Sequence, residues 1–326
     1  MTKYPRSTTR TIATLIATAL VGTGLLAAAT ARAAEDLKIL ISVPTYAYPY
    51  FVHMQKQIDD EAAKLGKVTL IKSDGQLSAP KQVSDIEAAV VQGVSGIIVG
   101  PNDPNALAPA IRAAIKAGVP VVTIDRPTNG VPEVLAHVSA NNVLGSEAQG
   151  RVIESLFPSG ANIVTLQGVP GDQTAKDRNT GVHNVLGKKK DAFKFVSEQT
   201  ARFNRDQGLS VTENILTGLA TPPQVIVAAN DDMALGALQA VKARGLAGKI
   251  AILGYDGSPD ALAAVKAGTL TATVNQFPGQ QGRTALRTLV ENLRTKKTPA
   301  NPVILIEPVA ITKSNLDKAE RIGEVL

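Results

Sequence analysis

Residues 120–127 read PVVTIDRP, and the interpretation of the whole chain starts from this stretch. The four β-branched residues at 121–124 are typical of a buried β-strand. This strand ends abruptly in Asp125 and Arg126, two adjacent side chains of opposite charge. Such a pair is either a solvent-exposed charged pair or part of a binding site, and the residues after the other strands decide between the two.

Short apolar runs alternate with amphipathic segments along the rest of the chain. This alternation predicts parallel sheets with helices on both faces, and about nine strand–helix pairs favour two sheets over one. We therefore predict an α/β fold with two lobes. The predicted strands are 38–43, 68–71, 96–99, 121–124, 161–166, 193–196, 224–227, 250–253 and 271–274. The predicted helices are 51–65, 80–92, 106–117, 146–157, 175–186, 207–216, 233–244, 261–267 and 280–294.

Polar side chains come just after the carboxyl ends of several of these strands. Asp125 and Arg126 follow one strand, Asn230 follows another, and Tyr255 and Asp256 follow a third. In open α/β sheets, ligands bind beyond the carboxyl ends of the strands. The charged pair at 125–126 is therefore predicted to lie where a ligand would bind.

The first 33 residues are typical of a secretory signal peptide. Basic residues within the first ten positions precede an apolar stretch at 12–29, and Ala31-Arg32-Ala33 supplies small residues for cleavage after Ala33. A membrane anchor is the alternative, but Gly22 and Gly24 interrupt the apolar stretch, which is rich in alanine. We expect a mature protein that begins at Ala34 and is located in the periplasm.

Composition excludes several classes of function. The 326 residues include 34 basic and 28 acidic side chains, a net charge of +6. The predicted signal contains four of the basic residues, so the mature chain would have 30 basic and 28 acidic residues, a net charge of +2. This small charge argues against nucleic-acid binding. Because there is no cysteine, thiol chemistry and cysteine metal sites are excluded. No later apolar run is long enough to cross a bilayer, so we expect a soluble protein.

No motif for catalysis or cofactor binding is present. The sequence lacks a Gly-x-x-x-x-Gly-Lys-Ser/Thr phosphate loop and a Gly-x-Ser-x-Gly nucleophile elbow. His53, His137 and His183 are scattered, without the spacing of metal ligands. We therefore expect no enzyme activity, no cofactor and no bound metal.

A set of hydrogen-bonding and aromatic side chains remains, and it suits a sugar or polyol. Such a ligand needs directional donors and acceptors around its hydroxyl groups and aromatic rings against its C–H faces. Two aspartates and two arginines balance in charge, which favours a neutral ligand. Each residue taken alone could equally be a helix cap or a surface ion-pair member. The set is Asp125, Asp256, Arg126, Arg178, Asn230, Gln276, Tyr50, Phe51 and Phe203.

Six motifs gather these residues into one family pattern. In chain order they are TIDRP (123–127), SANNVLG (139–145), LQGVPGDQTAKDR (166–178), AANDDMALGAL (228–238), ILGYDGSPD (252–260) and ATVNQFPGQQG (272–282). Over residues 36–313 the chain resembles the periplasmic substrate-binding proteins of ABC sugar importers, in the ribose-binding-protein-like group.

The resemblance implies the type I periplasmic binding protein fold. This fold has two similar doubly wound parallel-sheet lobes joined by a three-segment hinge. We expect the crossings near 138–140, 275–277 and 303–307. The N-terminal lobe would comprise 34–138 and 277–305, and the C-terminal lobe 139–276 and 306–326.

The resemblance also implies a ligand-binding set in the cleft between the lobes. Tyr48 stands where ribose binders usually have a small amide, and Tyr50 replaces a phenylalanine. Because of these two departures, a pentose, a hexose and a polyol all remain open. The full set is Tyr48, Tyr50, Phe51, Asp125, Arg126, Arg178, Phe203, Asn230, Asp256 and Gln276, and Lys176 is a less certain neighbour.

The function that the resemblance implies is capture of a sugar or polyol by a monomer, which delivers it to an ABC transporter permease. A sugar-responsive transcription regulator of the same fold is disfavoured, because a signal peptide occupies the position of its helix-turn-helix. An enzyme is disfavoured by the missing catalytic groups. The alternative is a binding protein for a non-sugar small polar ligand or a signal molecule that feeds a chemoreceptor or sensor kinase.

Overall fold

Two parallel sheets form the framework of residues 36–325, the residues that the computed structural model describes. The predicted signal peptide at 1–33 lies outside the described residues. The first sheet has the strand order β11-β5-β4-β3-β1-β2 and the second the order β7-β6-β8-β9, while β10 and β12 form an antiparallel pair. The strands are β1 Leu37–Val43, β2 Val68–Asp74, β3 Gly96–Val99, β4 Val121–Ile124, β5 Ala136–Ala140, β6 Ala161–Gln167, β7 Phe193–Thr200, β8 Val225–Ala228, β9 Ala251–Leu253, β10 Thr273–Asn275, β11 Val303–Ile306 and β12 Val309–Ile311.

Helices alternate with the strands as predicted, except that β4 leads to β5 and β11 to β12 without a helix between them. They are α1 Pro49–Leu65, α2 Ala79–Val91, α3 Ala108–Lys116, α4 Asn142–Leu156, α5 Gln173–Leu186, α6 Arg205–Gly218, α7 Asp231–Ala243, α8 Pro259–Ala267 and α9 Pro278–Thr295. Short 3-10 turns occupy Gly187–Lys189, Lys313–Lys318 and Ile322–Glu324. At six helices the side chain before the first turn accepts a hydrogen bond from a backbone amide and so satisfies one otherwise unpaired donor. These caps are Ser78, Asn141, Asp172, Asn204, Asn230 and Ser258.

Each sheet is covered on both faces and forms the core of one lobe. Strands β3, β4 and β8 are buried along their whole length, as expected of parallel strands between two helix layers. Helices α1 and α9 pack together against the first sheet, and α6 and α7 pack together in the second lobe. The predicted α/β class with two parallel-sheet lobes is therefore confirmed.

The chain passes between the lobes at three places. It leaves the first sheet after β5, returns to it between β10 and α9, and leaves it again between β11 and β12. Strand β5 includes Ser139 and Ala140 and pairs with β4 and β11 in the first sheet. The exact lobe boundaries, 34–138 with 277–305 and 139–276 with 306–326, remain a prediction.

Several elements differ from the prediction in extent. Strand β5 was predicted only as a crossing, because its sequence AHVSA lacks a clear apolar run. Strand β7 continues to Thr200, four residues beyond the prediction, because its last residues pair with β6 although their side chains are exposed. No helix between residues 36 and 325 is long and apolar enough to cross a membrane.

Candidate functional site

A cavity of about 190 Å³ lies where the carboxyl ends of strands from both sheets meet. Its lining residues follow β1 and β4 of the first sheet, β7, β8 and β9 of the second, and β10, and they include the first turns of α5. All ten residues of the predicted ligand-binding set line this one cavity. Lys176 is exposed and is absent from the lining. The structure thus brings the ten residues together, and their contact with a ligand stays a prediction.

The second-lobe wall of the cavity consists of Arg178, Phe203, Asn230, Asp256 and Gln276. Arg178 is the centre of this wall. Its guanidinium donates hydrogen bonds to Asn142 Oδ1 (2.9 Å), the Ala229 carbonyl (2.6 Å), Asp256 Oδ1 (3.4 Å) and Gln276 Oε1 (3.3 Å). The side chain is only 4% exposed, so these partners replace water around the charge. The planar fork of arginine suits this arrangement because its donors point in fixed directions.

Tyr255 supports the same guanidinium from behind. The Arg178 Cζ atom lies 3.7 Å from the centre of the Tyr255 ring, which is a cation–π contact. Tyr255 is fully buried, and its hydroxyl sits so close to Gly145 that a Cβ atom there would lie 2.2 Å from it. Gly145 therefore leaves the space that lets the ring reach Arg178.

Asp256 and Gln276 extend the wall toward the cavity. The Gln276 amide donates to Asp256 Oδ1 at 2.7 Å, and its backbone carbonyl accepts from the Gln281 side chain at 2.7 Å. Burial raises the pKa of the Asp256 carboxyl well above its ordinary value, while the positive charge of Arg178 acts to lower it. This carboxyl lines the cavity, so a ligand hydroxyl group that replaces water can form a hydrogen bond with it.

Asn230 and Phe203 complete the second-lobe side. Asn230 Oδ1 caps α7 through the Met233 amide (3.0 Å), and its Nδ2 donates to the Phe203 carbonyl (3.3 Å). The Phe203 ring lies against Gly168, where a Cβ atom would lie 2.1 Å from the ring. Gly168 is therefore required for this close approach.

The first-lobe wall contains Asp125 and Arg126, the charged pair that follows β4. Arg126 Nε lies 3.7 Å from Asp125 Oδ2 and 3.3 Å from Oδ2 of Asp172, the cap of α5 in the second lobe. Burial raises the pKa of Asp125, and the charges of Arg126 and Arg178 act to lower it. Arg126 therefore reaches from one lobe to the other at the edge of the cavity.

Aromatic residues at the start of α1 form the rest of this wall. The rings of Tyr50 and Phe51 meet edge to face with centres 4.9 Å apart, and the Tyr50 hydroxyl donates to Gln281 Oε1 at 3.1 Å. Tyr48 precedes the first turn of α1 and is partly buried against the apolar cluster that contains Phe51. The replacement of Phe by Tyr at position 50 thus ties the wall to α9.

Three site residues have a left-handed backbone, which non-glycine residues seldom adopt. Asp125 has φ 63°, Phe203 φ 58° and Asp256 φ 132°. Backbone hydrogen bonds hold two of them, because the Asp125 amide donates to Val138 (3.1 Å) and the Asp256 amide to Val274 (2.8 Å). Such strain is typical of residues whose position serves a binding site.

Sequence reasoning missed several residues that line the cavity or support its walls. Arg205 pairs with Asp232 (2.9 Å) and Asp260 (3.1 Å), and all three line the cavity. Arg321 reaches the lining from the C-terminal segment. Asn142 and Tyr255 hold Arg178 in place. The position of Tyr255 next to Asp256, after a strand, was the one available signal.

Comparison with known proteins assigns the family. A family model described as periplasmic binding protein domain matches residues 39–297. The chain belongs to the periplasmic binding protein family. It is 39% identical over 264 residues to the ribose import binding protein RbsB of Bacillus subtilis. This match covers 81% of this chain and 84% of the relative. It is 30% identical over 313 residues to a xylitol-binding protein of Mycolicibacterium smegmatis, with coverage of 95% and 88%.

A solved relative agrees with this family assignment in three dimensions. The crystal structure of a Caulobacter myo-inositol binding protein bound to myo-inositol superposes with a TM-score of 0.84 and 43% sequence identity. The match covers 90% of this chain and 98% of the relative. The predicted type I periplasmic binding protein fold is thereby confirmed.

Proposed function

We propose that the cleft captures one neutral polyhydroxylated ring, with the cyclic polyol myo-inositol as the first candidate. The chain is a solute-binding protein of the class that captures a sugar or polyol for an ABC importer. In our proposal it works in the periplasm as a monomer without catalysis, and the permease receives the ligand from it.

The convergence of ten hydrogen-bonding and aromatic side chains on one cavity carries this proposal. The second-lobe wall offers Asp256, Arg178 and Gln276 to hydroxyl groups, and the first-lobe wall offers Asp125 and Arg126. A ring with hydroxyl groups on its whole perimeter can use both walls at once. The cavity is smaller than the pockets of roughly 300–1,000 Å³ that hold drug-sized ligands, which favours a single ring.

Charge balance favours a neutral ligand over an anion or a cation. The carboxylates of Asp125 and Asp256 face the guanidinium groups of Arg126 and Arg178, so neither sign of charge is in excess among these four. A sugar hydroxyl can donate to the carboxylates and accept from the arginines. The similarity to a relative with bound myo-inositol supports a cyclic polyol as the first ligand to test.

A thermal-shift screen of the chain from Ala34 onward tests the proposal. The panel is myo-inositol, xylitol, ribose and allose, with glutamate as a charged control. A ligand at a hundredfold excess over its Kd adds about 2.7 kcal/mol of stability, which raises the midpoint by several degrees. We expect the largest shift with myo-inositol and none with glutamate. A shift with glutamate alone would favour a non-sugar polar ligand, and product formation from a bound ligand would show an enzyme.

A further inference from the structure

The C-terminal segment, residues 313–325, lies outside the family match and yet reaches the ligand cavity. The family model ends at residue 297. The segment consists of the two 3-10 turns Lys313–Lys318 and Ile322–Glu324. Arg321 lies between these turns, is 7% exposed and lines the cavity together with Tyr48, Pro49 and Tyr50.

Apolar contacts attach this segment to the second lobe. Ala319 forms a buried cluster with Leu262 of α8 and Ile311 of β12. Leu316, Ile322 and Val325 pack against the same cluster. Burial of these side chains fixes the segment on the second lobe through the hydrophobic effect.

Polar contacts attach the same segment to the first lobe. The Glu320 carboxylate accepts hydrogen bonds from the Gly279 (2.9 Å) and Gln280 (3.0 Å) amides in the first turn of α9. Glu324 Oε1 lies 2.6 Å from Nδ1 of His53, a buried residue of α1. A carboxylate at a helix N-terminus is favourable because the free amides point toward it. The segment is thus bound to both lobes.

Arg321 connects this segment to the aromatic wall. Its Nε and Nη2 atoms donate to Glu324 Oε2 at 3.1 and 2.7 Å, and Nη1 donates to the Pro49 carbonyl at 3.4 Å. Pro49 lies between Tyr48 and Tyr50, the two positions that depart from ribose binders. Glu324 therefore holds the guanidinium in the position from which it contacts this turn.

We propose that Arg321 is a positioning residue of the cleft, which holds the Tyr48–Tyr50 wall in its ligand-binding position through Glu324 and the Pro49 carbonyl. This inference rests on the proposed function where it concerns affinity, but the positioning itself can be measured without ligand. Loss of the contact frees the first turn of α1, whose Phe51 and Val52 amides donate to the Tyr48 carbonyl.

Hydrogen exchange of the ligand-free mature chain is the first test. The variant Arg321→Gln keeps a polar side chain and removes the charge, and Lys318→Gln removes an exposed charge from the same segment. We expect exchange at residues 48–55 to become about tenfold faster in R321Q and to stay unchanged in K318Q, while the strands keep their protection. Equal exchange of this peptide in R321Q and the wild type would overturn the proposal.

Glu324→Gln provides a second, milder variant in case R321Q does not fold. It leaves Arg321 in place and weakens its partner, so we expect the same peptide to exchange faster by a smaller factor. Unchanged exchange in folded E324Q together with an unfolded R321Q would show a purely structural role and overturn the proposal.

Dissociation of myo-inositol, measured by stopped flow with a competing ligand, extends the test to binding. We expect release to be about tenfold faster from R321Q than from the wild type or K318Q, since effects of this kind act mainly on dissociation. If the wild type binds no polyol, the proposed function fails while the exchange result still decides the role of Arg321. Faster exchange with unchanged dissociation would contradict a role in ligand binding.

Discussion

The two walls of the cleft differ in how firmly their side chains are held. In the second-lobe wall, Arg178 donates to four partners and Gln276 donates to Asp256. In the first-lobe wall, Arg126 Nε is buried and has no hydrogen-bond partner within residues 36–325, although two carboxylates lie within 4 Å. The second-lobe wall is therefore preorganised by hydrogen bonds, whereas Arg126 in the first-lobe wall is held by ion contacts with Asp125 and Asp172. Preorganisation reduces the free energy lost on binding.

Arg178→Ala breaks the preorganised wall and has the largest expected effect. It removes the donor to Gln276 and leaves the Asp256 carboxylate without its cation, so ligand binding weakens by about 1–3 kcal/mol, or roughly 5- to 150-fold. Isothermal titration with the bound polyol measures this change. Arg151→Ala, which removes an exposed arginine of α4 paired with Glu147, is the matched control and keeps the wild-type Kd. Equal affinity in both variants would contradict the proposed site.

Tyr255→Leu tests the support behind the wall and has the next largest effect. Loss of the ring beneath Arg178 removes a cation–π contact worth about 0.5–2 kcal/mol, so we expect about tenfold weaker binding. Tyr255→Phe keeps the ring and removes a hydroxyl that has no partner within the described residues, so its Kd stays within about twofold. If Phe and Leu weaken binding equally, the hydroxyl and not the ring carries the effect.

Arg126→Gln tests the looser first-lobe wall. Its contact with Asp172 joins the two lobes between partly exposed side chains, and such pairs contribute about 0.2–1 kcal/mol. We therefore expect binding to weaken by about 1.4-fold to fivefold, seen mainly as faster ligand release in stopped-flow experiments. A loss as large as that of Arg178→Ala would mean that the two walls do not differ.

The stability of the second lobe is expected to depend on pH through Asp231, a buried residue of α7. Burial raises the pKa of Asp231 to about 6, although hydrogen bonds from Thr273 (2.6 Å) and the Ser258 amide (2.8 Å) lower it. The folded state thus binds this proton more tightly than the unfolded state, so the free energy of unfolding falls as the pH rises from about 4 to about 6. Urea unfolding across this range measures the slope. Asp231→Asn should flatten it, and an unchanged slope would assign it to another group.

Ten of the residues that meet in the cleft could be predicted from the sequence, because the rule of strand ends and the family motifs both point to the same positions. Asp125, Asn230 and Asp256 lie within three residues of the carboxyl ends of β4, β8 and β9, so their location follows from the order of the strands in the sheets. Asn142 and Arg321 could not be predicted in the same way. Asn142 is 36 positions from its partner Arg178 in the sequence, and Arg321 is 272 positions from its partner Pro49. Only the packing of α4 and of the C-terminal segment brings these pairs together.

Strand β5 was missed for a related reason. Its five residues alternate small and polar side chains, and they are buried by their place between β4 and β11 and by the packing of α9 against β5, not by their own hydrophobicity. The C-terminal half of β7 was missed because exposed polar residues continue its pairing with β6. In both cases tertiary context outweighs the local propensity of the sequence.

Isothermal titration of the mature chain with myo-inositol, beside the Arg178→Ala variant, decides whether the cleft is a polyol site that depends on the second-lobe wall. We expect one binding site per chain in the wild type and a loss of affinity of roughly 5- to 150-fold in the variant. The same titration with ribose ranks the two ligands. Absence of binding to either compound, or binding that Arg178→Ala leaves unchanged, would contradict a polyol site built on the second-lobe wall.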